Sequence, residues 1–384
     1  MKVAINTEHC INGILKASSI TPTKSGAAML RTMWIRAEKD KGTISFMSTD
    51  ASTEYIGSYP ADVEEDGLIG VQSKSITELL RSLPKGVIRM YTDDKGNNLV
   101  ITQGSRTFKL PVSNLDWFQN FSEFPEDNSI VWSGEVLIGI IDRILFCVSD
   151  EEDSPLGCLY IRPKDNGEID FCGLDGNKFA LVKETNDPLH AKLPHEGILI
   201  QKKYLNDIKK LISEDEIELN FTGKRFFIRN NDKRDTVSIP LVQFEYPDYT
   251  LFLSKIEPDC STLSVAKTEM SDALSRSLIF NTKDENSVFI SLGEASLTLQ
   301  SSDKSTGSAT ETIPATVNST VKNVAFITRG LLDVLQHIDA ESIEVKIASE
   351  AGPCLFRSVD DHSYVVIAMP VQIVEDTYYI EEDN

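Results

Sequence analysis

No stretch of the 384-residue chain approaches the ~18 consecutive apolar residues that a membrane-spanning helix needs, and no membrane partner is expected. The start, Met1-Lys2-Val3-Ala4-Ile5, has the alternation of a strand and none of the anatomy of a secretion signal. Cysteine is sparse: Cys10, Cys147, Cys158, Cys172, Cys260 and Cys354 include no C-x-x-C spacing. Neither a zinc site nor a redox pair is thereby indicated, and buried thiols in a reducing cytoplasm are expected. The five histidines, at 9, 190, 195, 337 and 362, show no metal-ligand spacing, and His337 reads as the exposed side of a helix. A phosphate loop, a dinucleotide fingerprint and a nucleophile elbow are all missing, so no cofactor or metal is expected. Positive charge is also short: 38 Lys and Arg against 59 Asp and Glu give −21. That total disfavours bulk attraction to nucleic acid, but it does not fix how charge is arranged on the surface.

What is present is a pattern repeated three times. Ile76, Glu78, Leu79, Leu83 and Ile88 follow the spacing apolar, acid, apolar, apolar, apolar; Leu205, Asp207, Ile208, Ile212 and Ile217 repeat it, as do Leu331, Asp333, Val334, Ile338 and Ile343. From 76 to 205 is 129 residues and from 205 to 331 is 126, so each unit is a whole domain and not a solenoid repeat of roughly 20–50 residues. Two further anchors recur in constant order. A strand ends in an aspartate at Asp50, Asp175 and Asp303, and each unit closes on an alternating segment with proline fourth: Phe108-Lys109-Leu110-Pro111-Val112, Val237-Ser238-Ile239-Pro240-Leu241 and Ile367-Ala368-Met369-Pro370-Val371. An aspartate present in triplicate fits turn or cap work better than catalysis. Glu78, Asp207 and Asp333 read as structural for the same reason.

The expected fold class is α+β, with three similar domains at 1–127, 128–255 and 256–384, each placing two helices on antiparallel sheet. The first helices span Glu8 to Ser19, Glu135 to Val148 and Lys267 to Phe280, and the second helices are the repeated pattern. Thr328 fits an N-cap, and Pro84 fits just past a helix end. Turn signals such as Asp94-Lys95-Gly96 and Asp165-Asn166-Gly167 separate short strands. Ser301 to Thr312, rich in Ser and Thr, reads as a mobile loop.

Candidate chemistry is thin. Asp150-Glu151-Glu152-Asp153 has the composition of a metal site, and equally that of a solvated loop with no further ligands around it. Basic residues concentrate on the helices: Lys202, Lys203, Lys209 and Lys210; Lys74, Arg81 and Lys85; Arg329; and Lys16, Arg143, Lys267 and Arg276. They are either ordinary solvated faces or, if the helices share a surface, a basic track on an acidic body. Such a track would hold duplex phosphates without reading bases, and no aromatic interleaving supports single-strand stacking.

Leu174-Asp175-Gly176-Asn177-Lys178-Phe179-Ala180, Tyr246-Pro247-Asp248-Tyr249 and Tyr364-Val365-Val366-Ile367-Ala368-Met369-Pro370, with the triplication itself, make the chain resemble the bacterial DNA polymerase III beta subunit, the sliding clamp of replication. The resemblance covers nearly the whole length. It implies a DNA clamp fold: a crescent of three domains, two of which close head to tail into a homodimeric ring around duplex DNA. It implies a non-enzymatic processivity factor that tethers the replicative polymerase and meets the clamp loader and other proteins carrying a clamp-binding motif. By resemblance, Pro155, Leu174, Gly176, Asn177, Lys178, Phe179, Pro247, Leu251 and Phe252 form one side of a peptide pocket, and Pro353, Ile367, Ala368, Met369, Pro370 and Val371 the other. Lys24, Lys74, Lys202 and Lys203 would face DNA, and Phe108 and Leu110 would meet Ile279 and Phe280 of a second copy. The four acids of 150–153 depart from the family, whose loop there carries an arginine, and Val374 to Asn384 extends past its usual end. Two alternatives stand beside this reading: a metal-dependent hydrolase using Asp150 to Asp153, and a peptide-binding adaptor that never encircles DNA.

Overall fold

The computed structural model describes residues 1–22, 27–256, 260–283, 286–303 and 305–372; Lys24 and the extension Val374 to Asn384 lie outside them, and of Phe252 only the backbone is described. The helices are α1 (Thr7–Ile20), α2 (Ser73–Ser82), α3 (Gly134–Leu145), α4 (Asp187–Lys192), α5 (Lys202–Leu211), α6 (Thr250–Ser254), α7 (Lys267–Ser277) and α8 (Thr328–Gln336). The repeated pattern forms α2, α5 and α8 and the strand after each. Ile76 and Ile88, Leu205 and Ile217, and Leu331 and Ile343 are all buried, as one apolar stripe per amphipathic helix requires.

By chain contacts the molecule falls into two compact units, 1–141 with 203–242, and 142–202 with 243–384. The first holds an eight-stranded antiparallel sheet in the order Ile130–Ser133, Glu216–Phe221, Arg225–Asn230, Asp235–Pro240, Glu54–Pro60, Thr43–Thr49, Thr32–Glu38, Gly67–Gln72. It also holds a five-stranded sheet, Asp62–Glu65, Lys2–Asn6, Val87–Thr92, Asn98–Gln103, Arg106–Pro111. The second holds a nine-stranded sheet, Ile198–Gln201, Cys158–Pro163, Ile169–Leu174, Lys178–Glu184, Tyr364–Ala368, Cys354–Ser358, Ser342–Ile347, Ser261–Ala266, Thr316–Asn318. Its four-stranded sheet runs Gly307–Pro314, Ser296–Asp303, Ser287–Leu292, Asn323–Ile327.

The two large sheets are each sewn together at an equivalent seam. Asp235–Pro240, the proline-bearing strand of the second repeat, pairs antiparallel with Glu54–Pro60, the strand after Asp50. Tyr364–Ala368, its counterpart in the third, pairs with Lys178–Glu184, the strand after Asp175. Each seam thus joins the last strand of one repeat to the post-aspartate strand of the repeat before it, so the middle repeat contributes to both compact units. The prolines lie at or beyond the ends of these strands, where a missing N–H costs the ladder least.

Five expectations need correction. α3 stops at Leu145 because Cys147 and Val148 donate to Ile144 and Leu145 in tight turns, and α7 passes at Ser277 into a 3₁₀ turn, Leu278–Phe280. Thr328 is not an N-cap: it is the first helical residue, fully buried, and its hydroxyl accepts from Asn281 Nδ2 at 3.1 Å. Ser301 to Thr312 is no loop but most of a hairpin, with Ser301 opposite Ala309 and Leu299 opposite Glu311. Its β-branched threonines alternate, and that periodicity outweighs a loop-like composition. His337 is not an exposed helix residue either; its ring stacks on Phe146 at 3.9 Å. Lastly, Lys16, Arg143 and Lys267 are not freely solvated on the first helices, and Arg276, although exposed, is paired. Lys16 meets Asp235 at 2.5 Å, Arg143 lies over the Tyr364 ring and 3.7 Å from Asp361, Lys267 donates to the Ile338 carbonyl at 2.6 Å, and Arg276 clasps Glu311.

Candidate functional site

The three repeated aspartates do one job. Asp50 Oδ1 accepts from the amides of Ser52 and Thr53 at 2.8 and 2.7 Å, Asp175 Oδ1 from Asn177 and Lys178 at 2.8 and 2.6 Å, and Asp303 Oδ1 from Ser305 and Thr306 at 2.7 and 3.2 Å. Each closes the turn that leads into the next strand. Hydrogen bonds from the Ser305 hydroxyl and amide, with one from Thr282, hold the Asp303 carboxyl down at about 2. In the second repeat this turn presents Gly176, whose φ of +96° suits glycine, and whose Cβ position faces nothing within 4 Å.

Around that turn lies an apolar groove within the second compact unit. Phe179 pairs with Ile367 and Lys178 with Ala368 across the seam, and the Met369 amide donates to the Asn177 carbonyl at 3.0 Å. Two cavities flank this ladder. One, of about 250 Å³, is walled by Leu174, Gly176, Asn177, Lys178, Phe179, Lys255, Pro353, Ile367 and Met369. The other, of about 190 Å³, is walled by Asp175, Asn177, Lys178, Phe326, Ile327, Gly330, Leu331, Ala368, Met369, Pro370 and Val371. Met369 stands between them, 42% exposed. A third, wider hollow continues along α8 past Arg329, Asp333 and Gln336.

The groove floor is stiff. Phe179 is buried and stacks on Tyr249 at 5.6 Å; Tyr249 donates to Asp170 Oδ2 at 2.5 Å, and Tyr246 stacks on Tyr160 at 4.5 Å. Burial pushes the Asp170 carboxyl up despite that hydrogen bond. At the rim Lys178 donates to Asp333 Oδ2 at 2.9 Å, with its ammonium 5.0 Å from the Phe146 ring centre. Burial acts to lower the Lys178 pKa, but the hydrogen bond and charge of Asp333 outweigh it and the group is raised overall. Asp333 also faces His337 at 3.6 Å. Of the residues named by resemblance, Pro155, Pro247 and Leu251 wall neither cavity. Pro155 opens a 3₁₀ turn and Leu251 is 59% exposed on α6. Asp175, Lys255, Phe326, Ile327, Gly330 and Leu331 were missed. The apolar repeat register places Leu331 in the helix, but nothing in the sequence marks the start of α8 as a wall.

The positions expected to face DNA differ in their exposure. Lys74 is exposed on α2, 3.7 Å from Glu78. Lys203 is exposed on α5 and lies over the Tyr204 ring at 5.2 Å. Lys202 is already engaged, donating to the Val148 carbonyl at 2.5 Å and meeting Asp150 at 2.8 Å. Asp150 of the acidic run is therefore paired with a lysine. Among the described residues no group of three or more His, Cys, Asp or Glu is placed to hold a metal ion, and the hydrolase alternative has no support. Also among the described residues, no helix is long and apolar enough to cross a membrane. Five of the six cysteines are buried, with Cys10, Cys158 and Cys354 raised to about 12, 11 and 12 by desolvation.

Phe108 and Leu110 sit half-buried on Arg106–Pro111, an open sheet edge. Ile279, 70% exposed, and Phe280 flank Gly307–Pro314, another open edge; the Phe280 carbonyl accepts from Thr306 Oγ1 at 2.9 Å.

Residues 1–122 match the family described as "DNA polymerase III beta subunit, N-terminal domain", and residues 259–372 match its C-terminal domain, together more than half of the chain. The beta sliding clamp of Caulobacter vibrioides is 22% identical over 380 residues, covering 97% of this chain and all of the relative. Among solved structures, the pol III beta of Caulobacter crescentus superposes with a TM-score of 0.87 at 22% identity, covering 97% of this chain and 100% of that one. The sliding clamp of Pseudomonas aeruginosa bound to griselimycin gives 0.84 at 18% identity with the same coverage.

Proposed function

The chain belongs to the DNA polymerase III beta subunit family, the non-catalytic sliding clamps, and from that premise we propose that two copies close into a ring around duplex DNA. The observation that carries the ring is the seam pattern. The last strands of the second and third repeats each find the post-aspartate strand of the preceding repeat. Two strands of the same series are left without such a partner: Arg106–Pro111, the last strand of the first repeat, and Gly307–Pro314, the post-aspartate strand of the third. A second copy supplies the missing partner to each, and the cyclic order closes. Two exposed, unpaired edges on one chain are otherwise an aggregation liability. Charge permits the match: Arg106–Pro111 carries Arg106 and Lys109 and no acid, whereas Gly307–Pro314 carries no base and one acid, Glu311, already paired with Arg276. On this reading the domains run 1–127, 128–255 and 256–384, and Phe108 and Leu110 pack on Ile279 and Phe280 of the other copy.

Retention on DNA by topology needs only weak contact inside the ring, so exposed Lys74 and Lys203 suffice with Lys24, while Lys202 is tempered by Asp150. The overall charge of −21 keeps the rest of the surface off nucleic acid. The groove of Leu174, Phe179, Ile367 and Met369 takes short hydrophobic segments of the replicative polymerase, the clamp loader and other partners. Griselimycin, which the Pseudomonas relative binds, is expected in the same cavities. The protein works in the cytoplasm, where the DNA is. Light scattering tests the ring's first requirement: the chain should measure as a dimer, and Ile279→Asp should shift it to monomer. A monomer at micromolar concentration in the unaltered chain would overturn the reading and favour the adaptor.

A further inference from the structure

The groove's second cavity ends at Val371, and after Gln372 the chain continues as Ile373-Val374-Glu375-Asp376-Thr377-Tyr378-Tyr379-Ile380-Glu381-Glu382-Asp383-Asn384. The match to the family's C-terminal domain stops at 372, so this segment lies beyond it. It sets one apolar triplet, Tyr378-Tyr379-Ile380, between five acids and carries no base. We propose that this segment is an internal ligand of the groove, placing Tyr378-Tyr379-Ile380 in the two cavities and its acids against Lys255 and Arg329, so that partners bind by displacing it. The proposal rests on the groove being the peptide site.

Three observations carry it. The first is charge: a segment of five acids is repelled by most of the remaining surface, which still carries −16 once those five are taken from the total of −21. Lys255 borders the first cavity and Arg329 the hollow beyond the second; both are exposed, and neither forms an ion pair with an acid among the described residues. The second is reach. Tyr378 lies seven residues past Val371, up to roughly 23 Å of chain at about 3.3 Å per residue, and Val371 itself walls the second cavity. The third is the shape of the site: two small apolar cavities with Met369 between them suit two or three adjacent large side chains.

Tethering makes even weak binding effective. A connection this short gives a local concentration on the order of 1 mM. With an intrinsic dissociation constant of about 0.1 mM the groove would be filled about nine-tenths of the time, and outside ligands would bind about tenfold more weakly.

The test measures griselimycin affinity by calorimetry in the full chain, in a chain ending at Gln372, and in the full-length triple variant Tyr378→Ser, Tyr379→Ser, Ile380→Ser. Both altered chains should bind about tenfold more tightly than the full chain, and the gap should narrow at 0.5 M salt. Met369→Asp placed in the shortened chain should abolish binding. Equal affinity in all three chains, with Met369→Asp still abolishing it, overturns the internal ligand and leaves the groove intact. Binding that Met369→Asp does not touch overturns the groove itself, and the internal ligand with it.

Discussion

Met369→Ala isolates the groove from the fold. The Met369 amide is fixed by the Asn177 carbonyl at 3.0 Å, so the backbone stays in place when the side chain is shortened. Of the side chain, 42% remains exposed, and this is the part a bound peptide would cover. Burying a whole methionine is worth ~1.5–3 kcal/mol, so the share left for the peptide is about 1 kcal/mol, or roughly fivefold in Kd. The cost to the fold should be of similar size, well under the ~2–5 kcal/mol of a fully buried methionine, because water can enter the space. The assay is fluorescence anisotropy of a labelled peptide copied from the tail of the replicative polymerase, with thermal unfolding measured in parallel. Val359→Ala, at a residue 45% exposed that walls neither cavity, is the control and should leave affinity unchanged. If Met369→Ala keeps full affinity while folded, the peptide does not use these cavities.

Two further substitutions address the fold, one at the groove rim and one in the other compact unit. Asp333→Asn removes the main partner of a half-buried ammonium, and after discounting for the partial exposure of Asp333 it should destabilise by about 1 kcal/mol at neutral pH. Because the Lys178 pKa is raised in the folded chain, its contribution is complete below about pH 10 and fades as pH rises through the raised value. Urea titrations at pH 7, 10 and 11 should show the variant losing less on that alkaline limb, and an unchanged limb would contradict the assignment. Gly134→Ala would set a Cβ 1.9 Å from the Ser213 carbonyl oxygen, a backbone atom that cannot swing away. Calorimetric melting should fall by several degrees, for a loss of about 2–3 kcal/mol; an unchanged midpoint would show that the α3 start is free to shift.

Much of this architecture is legible in the sequence because it is written three times. The repeated pattern locates α2, α5 and α8, since a stripe of buried apolar positions must recur at helical spacing wherever a helix lies on sheet. The aspartates at 50, 175 and 303 are recognisable as turn residues because catalysis would not need three. Legibility fails where a residue's role depends on what crosses it from afar. Ile327 and Gly330 carry no signature of a cavity wall, which becomes visible only with Met369 and Val371 beside them. Lys16, Arg143 and Lys267 look like solvated helix residues until Asp235, Asp361 and the Ile338 carbonyl arrive from more than 70 residues away. Ser301 to Thr312 misleads because composition suggests a loop while the alternation of its threonines makes a strand.

Retention on closed DNA tests the central claim most directly. The chain, labelled and loaded on nicked circular duplex, is passed over a gel-filtration column and then challenged with a restriction enzyme that linearises the circle. A ring held by topology should elute with the circle, survive salt that abolishes simple electrostatic binding, and leave once the DNA has ends. Equal loss from circular and linear DNA would contradict it.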